Sequence, residues 1–199
     1  FKTPQEIEIK NEKGIPCKFV SAVCGKEYTL YIVSDDNGKS LRLCYCYDFT
    51  LPIFLNINGH TPEYLFGSCN SSAAIDDKGN IFIINKSVLK SRKALLNCYH
   101  LSEKAVCVAF SGSFVYAIDS NGKLYKKYMS TDTKYQFEEV KENVSGVRFA
   151  YVNGNDFDNQ DIFGNNNHCF AVSVDGQVYG IGSNKDFKLG FDNNKLKLY

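Results

Sequence analysis

The stretch HCFAVSVDGQVYGIGSNKDFKLG, residues His168 to Gly190, decides the fold class. Within it, the pair Asp175-Gly176 separates two runs that carry apolar side chains at alternate positions. An Asp-Gly pair between such runs is a strong signal for a tight turn between two antiparallel strands. Further glycines then interrupt regular structure, at Gly180, Gly182 and Gly190. The stretch therefore predicts a β-hairpin followed by an irregular, glycine-rich segment.

The same kind of turn recurs along the chain. A turn glycine stands between apolar runs at Asn37-Gly38, Lys78-Gly79, Asn121-Gly122 and Asp175-Gly176, with spacings of 41, 43 and 54 residues. An alternating strand precedes each turn, a second follows it, and a third lies upstream. We divide the chain into four repeats, approximately residues 1–49, 50–93, 94–136 and 137–199. Such a unit of three or four antiparallel strands is typical of a β-propeller blade, which buries its faces only against neighbouring blades.

The composition agrees with an all-β protein made of antiparallel propeller blades. Aromatic residues make up 14% of the chain, with 13 Tyr and 15 Phe, and there are only 4 Pro; aromatic and β-branched residues favour strands. No apolar run approaches the roughly 18 to 20 residues that span a bilayer, and the N-terminal stretch lacks an apolar signal-peptide core. We therefore expect no membrane partner and an intracellular protein, in the cytoplasm or the nucleus.

The charge balance excludes little. Lys and Arg number 23 against 22 Asp and Glu, which gives a formal net charge of +1. A protein that binds nucleic acid through an electrostatic field usually carries a marked basic excess. The net charge therefore gives no support for nucleic acid or chromatin as a partner.

Eight cysteines raise the question of disulfides. Formal glycosylation sequons begin at Asn70, Asn85 and Asn143, so a disulfide-bonded secreted protein is the alternative interpretation. We instead expect free thiols, because four of the eight cysteines lie in or beside apolar strand runs, where Cys behaves as a small buried hydrophobe; these are Cys24, Cys69, Cys107 and Cys169. Cys44 and Cys46 are expected to place one thiol in the core and one at the surface, which makes them a poor metal clamp.

The opening stretch resembles the repeat of the regulator of chromosome condensation (RCC1) family. That repeat combines a Cys-Gly, a His-Thr-Leu strand, an Asp-Gly turn, a Val-Tyr strand and a Gly-x-Asn-x-x-Gly-x-Leu-Gly tail. The matching residues are His168, Ala171, Asp175, Gly176, Val178, Tyr179, Gly182, Asn184, Leu189 and Gly190, and the run from Cys24 matches the first half again. The resemblance implies a β-propeller. The phasing of both ends against the repeat further predicts that the chain is part of a longer ring.

The glycines of the opening stretch could form a phosphate-binding loop or have a purely structural role. The segment GIGSNKD lacks the third glycine of a dinucleotide-binding loop, and no helical period follows it. Glycines that let the chain turn and let blades approach closely explain the pattern better. The register relative to the turn glycines also aligns Ala74, Ala117 and Ala171, which we expect to be buried at equivalent positions.

The chemically suggestive residues have structural explanations. His60, His100 and His168 are too scattered for a metal site or a catalytic triad. The pairs Asp35-Asp36 and Asp76-Asp77 flank turns, where Asp bonds to its own backbone. Glu138-Glu139 is a third pair of neighbouring carboxylates. The basic run Lys86 to Lys93 is expected to be a solvated inter-strand loop, and binding to a phosphate or to an acidic partner is the alternative. We therefore predict no catalytic residue, no cofactor and no metal.

One polar insertion is the candidate partner site. The long last spacing falls in residues 154–167, GNDFDNQDIFGNNN. Its apolar and acidic residues are the pattern of a protein interface, in which a few aromatic anchors sit in a polar rim; they are Asp156, Phe157, Asp158, Ile162 and Phe163. The alternative is a low-complexity loop without a role.

Three functions remain open at this stage. The first is a non-catalytic protein–protein interaction module, which the degenerate central repeats favour. The second, implied by the family resemblance, is a guanine nucleotide exchange factor for a small GTPase of the Ran type, an activity that needs no visible nucleophile. The third is an accessory propeller of a larger ubiquitin-ligase or cytoskeletal protein.

Overall fold

A computed structural model describes residues 7–35, 40–47, 51–68, 70–91, 96–111, 114–129, 135–140, 147–151, 168–173, 176 and 178–182. Within these ranges the chain forms strands and one short helix, in the order β1 (Lys18–Cys24), β2 (Tyr28–Asp35), β3 (Ser40–Tyr47), β4 (Ile53–Phe54), β5 (Pro62–Gly67), β6 (Ser71–Asp76), β7 (Ile81–Asn85), α1 (Lys86–Ser91), β8 (Cys98–Tyr99), β9 (Ala105–Ser111), β10 (Phe114–Asp119), β11 (Leu124–Tyr128), β12 (Glu138–Glu139), β13 (Val147–Tyr151), β14 (His168–Ser173) and β15 (Val178–Gly182).

The strands form successive sheets whose strand order equals their order in the chain. The sheets are β1-β2-β3-β4, β5-β6-β7-β8, β9-β10-β11-β12 and β13-β14-β15. Neighbouring strands such as β2 with β3 and β10 with β11 pair antiparallel. This succession of antiparallel meanders confirms the predicted all-β fold of propeller blades.

The chain divides into two compact units, residues 1–77 with 82–97 and residues 78–81 with 98–199. In the first unit, β1, β2 and β3 lie against β5. Two buried tyrosines of the first sheet also bind the elements that follow: the Tyr28 hydroxyl lies 2.8 Å from Ser72 Oγ, and the Tyr45 hydroxyl donates a 2.8 Å hydrogen bond to the carbonyl of Leu89. The first unit therefore combines apolar packing with satisfied buried hydroxyls.

The turn glycines adopt the conformation that the sequence predicts. Gly79, Gly122 and Gly176 have φ angles of +83°, +76° and +84°, a region that residues with a side chain enter at a cost. Asn37-Gly38 lies outside the described residues, but the strands on either side of it pair in register as far as Asp35 with Ser40. The predicted hairpins are therefore confirmed at the three described glycines.

The aligned alanines agree with the predicted repeat register. Ala74 and Ala117 are completely buried, each in the second strand of its sheet. The backbone of Ala171 pairs with Ala150 and Tyr179, and its side chain is outside the described part. Burial is thus confirmed at Ala74 and Ala117 and stays a prediction at Ala171.

The basic run is not the solvated loop expected from the sequence. Its first residues form α1, and residues 92–93 lie outside the described part. The Asn85 side-chain oxygen accepts a hydrogen bond of 3.0 Å from the Val88 amide, as an N-terminal helix cap does. Leu89 is buried and fixes the helix to the core of the first unit. A helix this short carries too few residues for helical periodicity to be seen in the sequence.

The cysteine predictions need two corrections. Cys24 is exposed, because it ends a strand whose side chains are mostly exposed. Cys44 and Cys46 lie on the same face of β3, since residues two apart in a strand point the same way, and both pack with Cys17 in one apolar cluster. Cys107 is buried as predicted. Cys69 and the side chain of Cys169 are outside the described part.

Within the ranges given above, no helix is long and apolar enough to cross a membrane.

Candidate functional site

Equivalent aspartates stand at the ends of the second strands of the first three sheets. Asp35, Asp76 and Asp119 each lie three residues before a turn glycine. The side chains of Asp76 and Asp119 are almost fully buried, and that of Asp35 is mostly buried. A buried carboxylate has to be paired or hydrogen-bonded, and the partner differs among the three.

Asp119 organises its own turn. Its Oδ1 accepts hydrogen bonds of 2.9 Å from the amides of Asn121 and Lys123, and its Oδ2 accepts one of 3.0 Å from the Tyr125 hydroxyl. This is the backbone-directed role that turn aspartates commonly have. Burial is the main cause that raises the pKa of Tyr125, and the hydroxyl therefore stays protonated as a donor.

Asp76 pairs with a histidine. His60 Nδ1 lies 2.5 Å from Asp76 Oδ2, and the imidazole ring packs edge-on against Phe82 with the ring centroids 5.0 Å apart. Partners on both sides fix the orientation of the ring. The sequence indicated a structural role for His60, but it did not show this partner.

Asp35 belongs to a network of charged side chains. Its Oδ2 lies 3.5 Å from Arg42 Nη1, and the Cys17 thiol donates a hydrogen bond of 3.1 Å to its Oδ1. Arg42 also binds Glu12 through both carboxylate oxygens, with Nη1 to Oε2 at 2.7 Å and Nη2 to Oε1 at 2.5 Å. The guanidinium carbon lies 4.0 Å from the centroid of the Phe54 ring, which adds a cation–π contact.

The hydrogen bonds to Arg42 lower the pKa of the Glu12 carboxyl to about 2. Glu12 in turn is the main cause that raises the pKa of Arg42. Both groups are therefore ionised at neutral pH. Because the Glu12 side chain is 65% exposed, solvent screens the attraction, and we expect the pair to contribute less to stability than a buried pair of the same geometry would.

These residues border a pocket of about 420 Å³ that belongs to the first unit. Charged, aromatic and aliphatic side chains share its wall: Glu12, Arg42, Phe54, Ile57, His60 and Pro62. Pockets of this size hold small ligands or side chains of a partner. The sequence contained one signal for this pocket, the charged residue Arg42 between two leucines in a strand. The residues that contact Arg42 are too distant along the chain to be inferred from the sequence.

Burial disfavours the thiolate form of the thiols beside this network. Burial raises the pKa of Cys17 to about 11 and that of Cys44 to about 12, with neighbouring Asp35 adding to the effect at Cys17 and Cys46 at Cys44. The reactive species of cysteine is the thiolate. Both residues are therefore inert thiols at neutral pH.

We expect Cys24 to react much faster with a thiol reagent than Cys17 and Cys44, because Cys24 is exposed and the other two are buried. Mass spectrometry of peptides from native protein labelled at pH 8 measures this order. The Cys24→Ser variant serves as the control and should leave the labelling rates of Cys17 and Cys44 unchanged. Labelling of Cys44 at the rate of Cys24 would contradict the burial on which the prediction rests.

The sequence-predicted partner residues cannot be compared with this pocket. Asp156, Phe157, Asp158, Ile162 and Phe163 lie outside the described residues, in the connection between β13 and β14. The strands on either side of this connection are antiparallel neighbours. Among the side chains that the structure describes, no group of three His, Cys, Asp or Glu could hold a metal ion.

A succession of antiparallel meanders of up to four strands is the sheet pattern of β-propeller blades. The particular kind is RCC1-like, as the comparison with solved structures shows. Human WBSCR16 matches with a TM-score of 0.59 and 10% identity over 86% of this chain and 49% of that chain. Prp20p from Saccharomyces cerevisiae matches with a TM-score of 0.55 and 12% identity over 83% of this chain and 44% of that chain.

A chain in the structure of Kap60 bound to yeast RCC1 (Prp20) matches with a TM-score of 0.54 and 12% identity over 82% of this chain and 43% of that chain. The chain thus spans less than half the length of the solved chains that it matches. No protein-family model and no curated protein matches the sequence. The likeness establishes the RCC1-like β-propeller fold.

Proposed function

We propose that the chain is a non-catalytic protein–protein interaction module built on an RCC1-like β-propeller. The observation that carries the proposal is the structural likeness to Prp20p, a protein described together with its binding to Gsp1p and to histones. Propellers present loops on a rigid scaffold, and binding residues are often found in such loops. A protein is therefore the partner class that we propose for this chain.

The chemistry of the described residues supports binding rather than reaction. Asp119 is used in its own turn, and Asp76 holds His60. The thiols of Cys17 and Cys44 have raised pKa values. Carboxylates that are already paired, and thiols that stay protonated, are consistent with a scaffold that binds a partner.

The insertion of residues 154–167 is the partner contact that we propose. Three apolar side chains, Phe157, Ile162 and Phe163, stand there among Asp and Asn residues. A few buried aromatic residues commonly carry most of the binding energy of an interface. Because the insertion connects two neighbouring strands, a shorter connection should leave the β13–β14 pair able to form.

Replacing residues 154–167 with a short Gly-Ser connection should abolish recovery of the main partner in an affinity pull-down. Quantitative mass spectrometry of the recovered proteins measures the loss. A second variant, with Phe157, Ile162 and Phe163 changed to Ser, keeps the length of the insertion and should give the same loss. Unchanged recovery with both variants, each with the melting temperature of the wild type, would show that the insertion is not the contact.

A guanine nucleotide exchange factor for a small GTPase of the Ran type is the second candidate. The binding of Prp20p to Gsp1p is the observation that favours it. The test measures release of a fluorescent guanine nucleotide from a panel of small GTPases, with and without the wild-type chain. Faster release in its presence would replace the non-catalytic proposal with the exchange-factor function.

A further inference from the structure

Arg42 is held in place independently of Glu12. On one side the guanidinium carbon lies 4.0 Å from the centroid of the Phe54 ring, and on another Asp35 Oδ2 lies 3.5 Å from Nη1. Asp35 is itself fixed by the Cys17 thiol, which donates a hydrogen bond to it. A guanidinium with a fixed plane offers two parallel donors to any carboxylate, which is the geometry of bidentate recognition.

Glu12, the acceptor that now occupies these donors, stands on a small exposed turn. The turn is closed by an isolated bridge between Lys10 and Pro16. Asn11 Oδ1 stabilises it by accepting hydrogen bonds of 3.0 Å from the amides of Lys13 and Ile15. The turn thus has contacts that do not involve the Glu12 side chain, and Asn11 Nδ2 also donates a hydrogen bond of 3.4 Å to Asp35 Oδ1. Because the Glu12 side chain is 65% exposed, water can replace Arg42 as its partner, so releasing it should cost less than breaking a buried pair.

We propose that this pocket recognises a carboxylate side chain of a protein partner, and that Glu12 is an internal occupant which the partner's carboxylate displaces from Arg42. The inference rests on the proposed function in one respect, that the partner is a protein. It assigns to the first unit a contact separate from residues 154–167.

The rest of the pocket wall fits an acidic side chain of a peptide. Phe54, Ile57 and Pro62 offer apolar surface to its methylene groups, and the volume of about 420 Å³ is sufficient for a side chain with part of its backbone. Once Glu12 has left, Arg42 is the remaining strongly basic group among the residues that line the pocket. The incoming carboxylate would take over the second carboxylate contact of Arg42, beside Asp35, that Glu12 provides now.

Because Glu12 and the partner's carboxylate compete for Arg42, removing the Glu12 carboxylate should raise the affinity for the partner. Changing Glu12 to Gln removes the internal carboxylate and leaves the turn intact, so the affinity for an external carboxylate should rise about two- to fivefold, the range that a weak exposed ion pair allows. Changing Arg42 to Gln should abolish binding. Arg42→Lys keeps the charge but loses the planar fork, and it should weaken binding at least severalfold.

The test titrates the full chain with the blocked peptide acetyl-Gly-Glu-Gly-Glu-amide by NMR at low salt. It follows the Arg42 side-chain resonance and, in every variant including those at Arg42, the backbone amide resonances of Phe54 and Ile57, which line the pocket. The Gln version of the peptide and inorganic phosphate are the comparison probes. Glu138→Gln, a change at an exposed glutamate of the second unit, is the matched control and should titrate as the wild type does. Backbone spectra confirm that each variant remains folded.

We expect saturable binding of the acidic peptide to the wild type, tighter binding to Glu12→Gln, and no response to the Gln peptide. The inference is overturned if the acidic peptide leaves the Arg42 resonance of Glu12→Gln unchanged, if folded Arg42→Gln and Arg42→Lys both bind as the wild type does, or if only phosphate binds. These outcomes do not depend on the insertion of residues 154–167. If the titration fails but the insertion variants lose the partner in the pull-down, the pocket proposal is rejected and the proposed function is kept.

Discussion

The Gly79→Ala variant should lose about 3 kcal/mol or more of its free energy of unfolding, a loss in the upper range for single substitutions. Gly79 has a φ of +83°, and a residue with a Cβ pays about 1–2 kcal/mol to adopt this left-handed conformation. A Cβ would also lie 2.7 Å from both the Ala105 nitrogen and the Lys104 Cα. These are backbone atoms, which cannot turn away as a flexible side chain can.

Relief of the clash would break a backbone contact. The Gly79 carbonyl accepts a hydrogen bond of 3.2 Å from the Ala105 amide, so a movement that separates the two backbones weakens it. Urea unfolding measures the loss. Gly176→Ala is the matched control, because Gly176 has a φ of +84° but, among the residues that the structure describes, no atom beyond its chain neighbours lies within 4 Å of the added Cβ. It should cost only the conformational part, about 1–2 kcal/mol. Equal losses for the two variants would show that the contact with residues 104 and 105 is wrong.

Ala117→Leu should destabilise the protein by about 1–3 kcal/mol and lower its melting temperature by several degrees. Ala117 is completely buried in the central part of β10, between Val108 of β9 and Tyr125 of β11. The added carbon atoms have to displace close-packed neighbours, because protein interiors leave few voids.

Differential scanning calorimetry measures the melting temperatures of Ala117→Leu and Val106→Leu. The comparison distinguishes overpacking of the core from a general effect of larger side chains. Val106 belongs to the neighbouring strand β9 but is 41% exposed, so its replacement should change stability by no more than about 0.5 kcal/mol. If Ala117→Leu melts at the temperature of the wild type, the position does not require a small side chain and the repeat register of the alanines is wrong.

Local patterns account for what could be predicted from the sequence. Glycines preceded by Asp, Asn or Lys mark the turns, and the alternation on either side marks the strands; Gly79, Gly122 and Gly176 carry both signals. The period of the turns predicts the blades, and the RCC1-like fold is confirmed. The repeat boundaries and the partner residues of the insertion remain predictions.

The missed features depend on contacts between distant residues or on short elements. Glu12 binds Arg42 across a separation of 30 residues, and nothing near either residue indicates the other. His60 and Asp76 meet because a turn and the end of a strand lie together in space. The error at Cys44 and Cys46 was of another kind, since a strand places residues two apart on one face. Helix α1 spans six residues, too few for a periodic signal.

The equality of strand order and chain order has a consequence for folding kinetics. Neighbouring strands close over short loops, as in the pairing of Ile118 with Leu124, so each hairpin needs little loop-closure entropy. Folding rates rise as contacts become more local. We therefore expect each meander to form soon after its own residues leave the ribosome, ahead of the meander that follows. The longer connection before β14 adds only about 0.6 kcal/mol for each doubling of its length, so it slows its own hairpin slightly and leaves the earlier meanders unaffected.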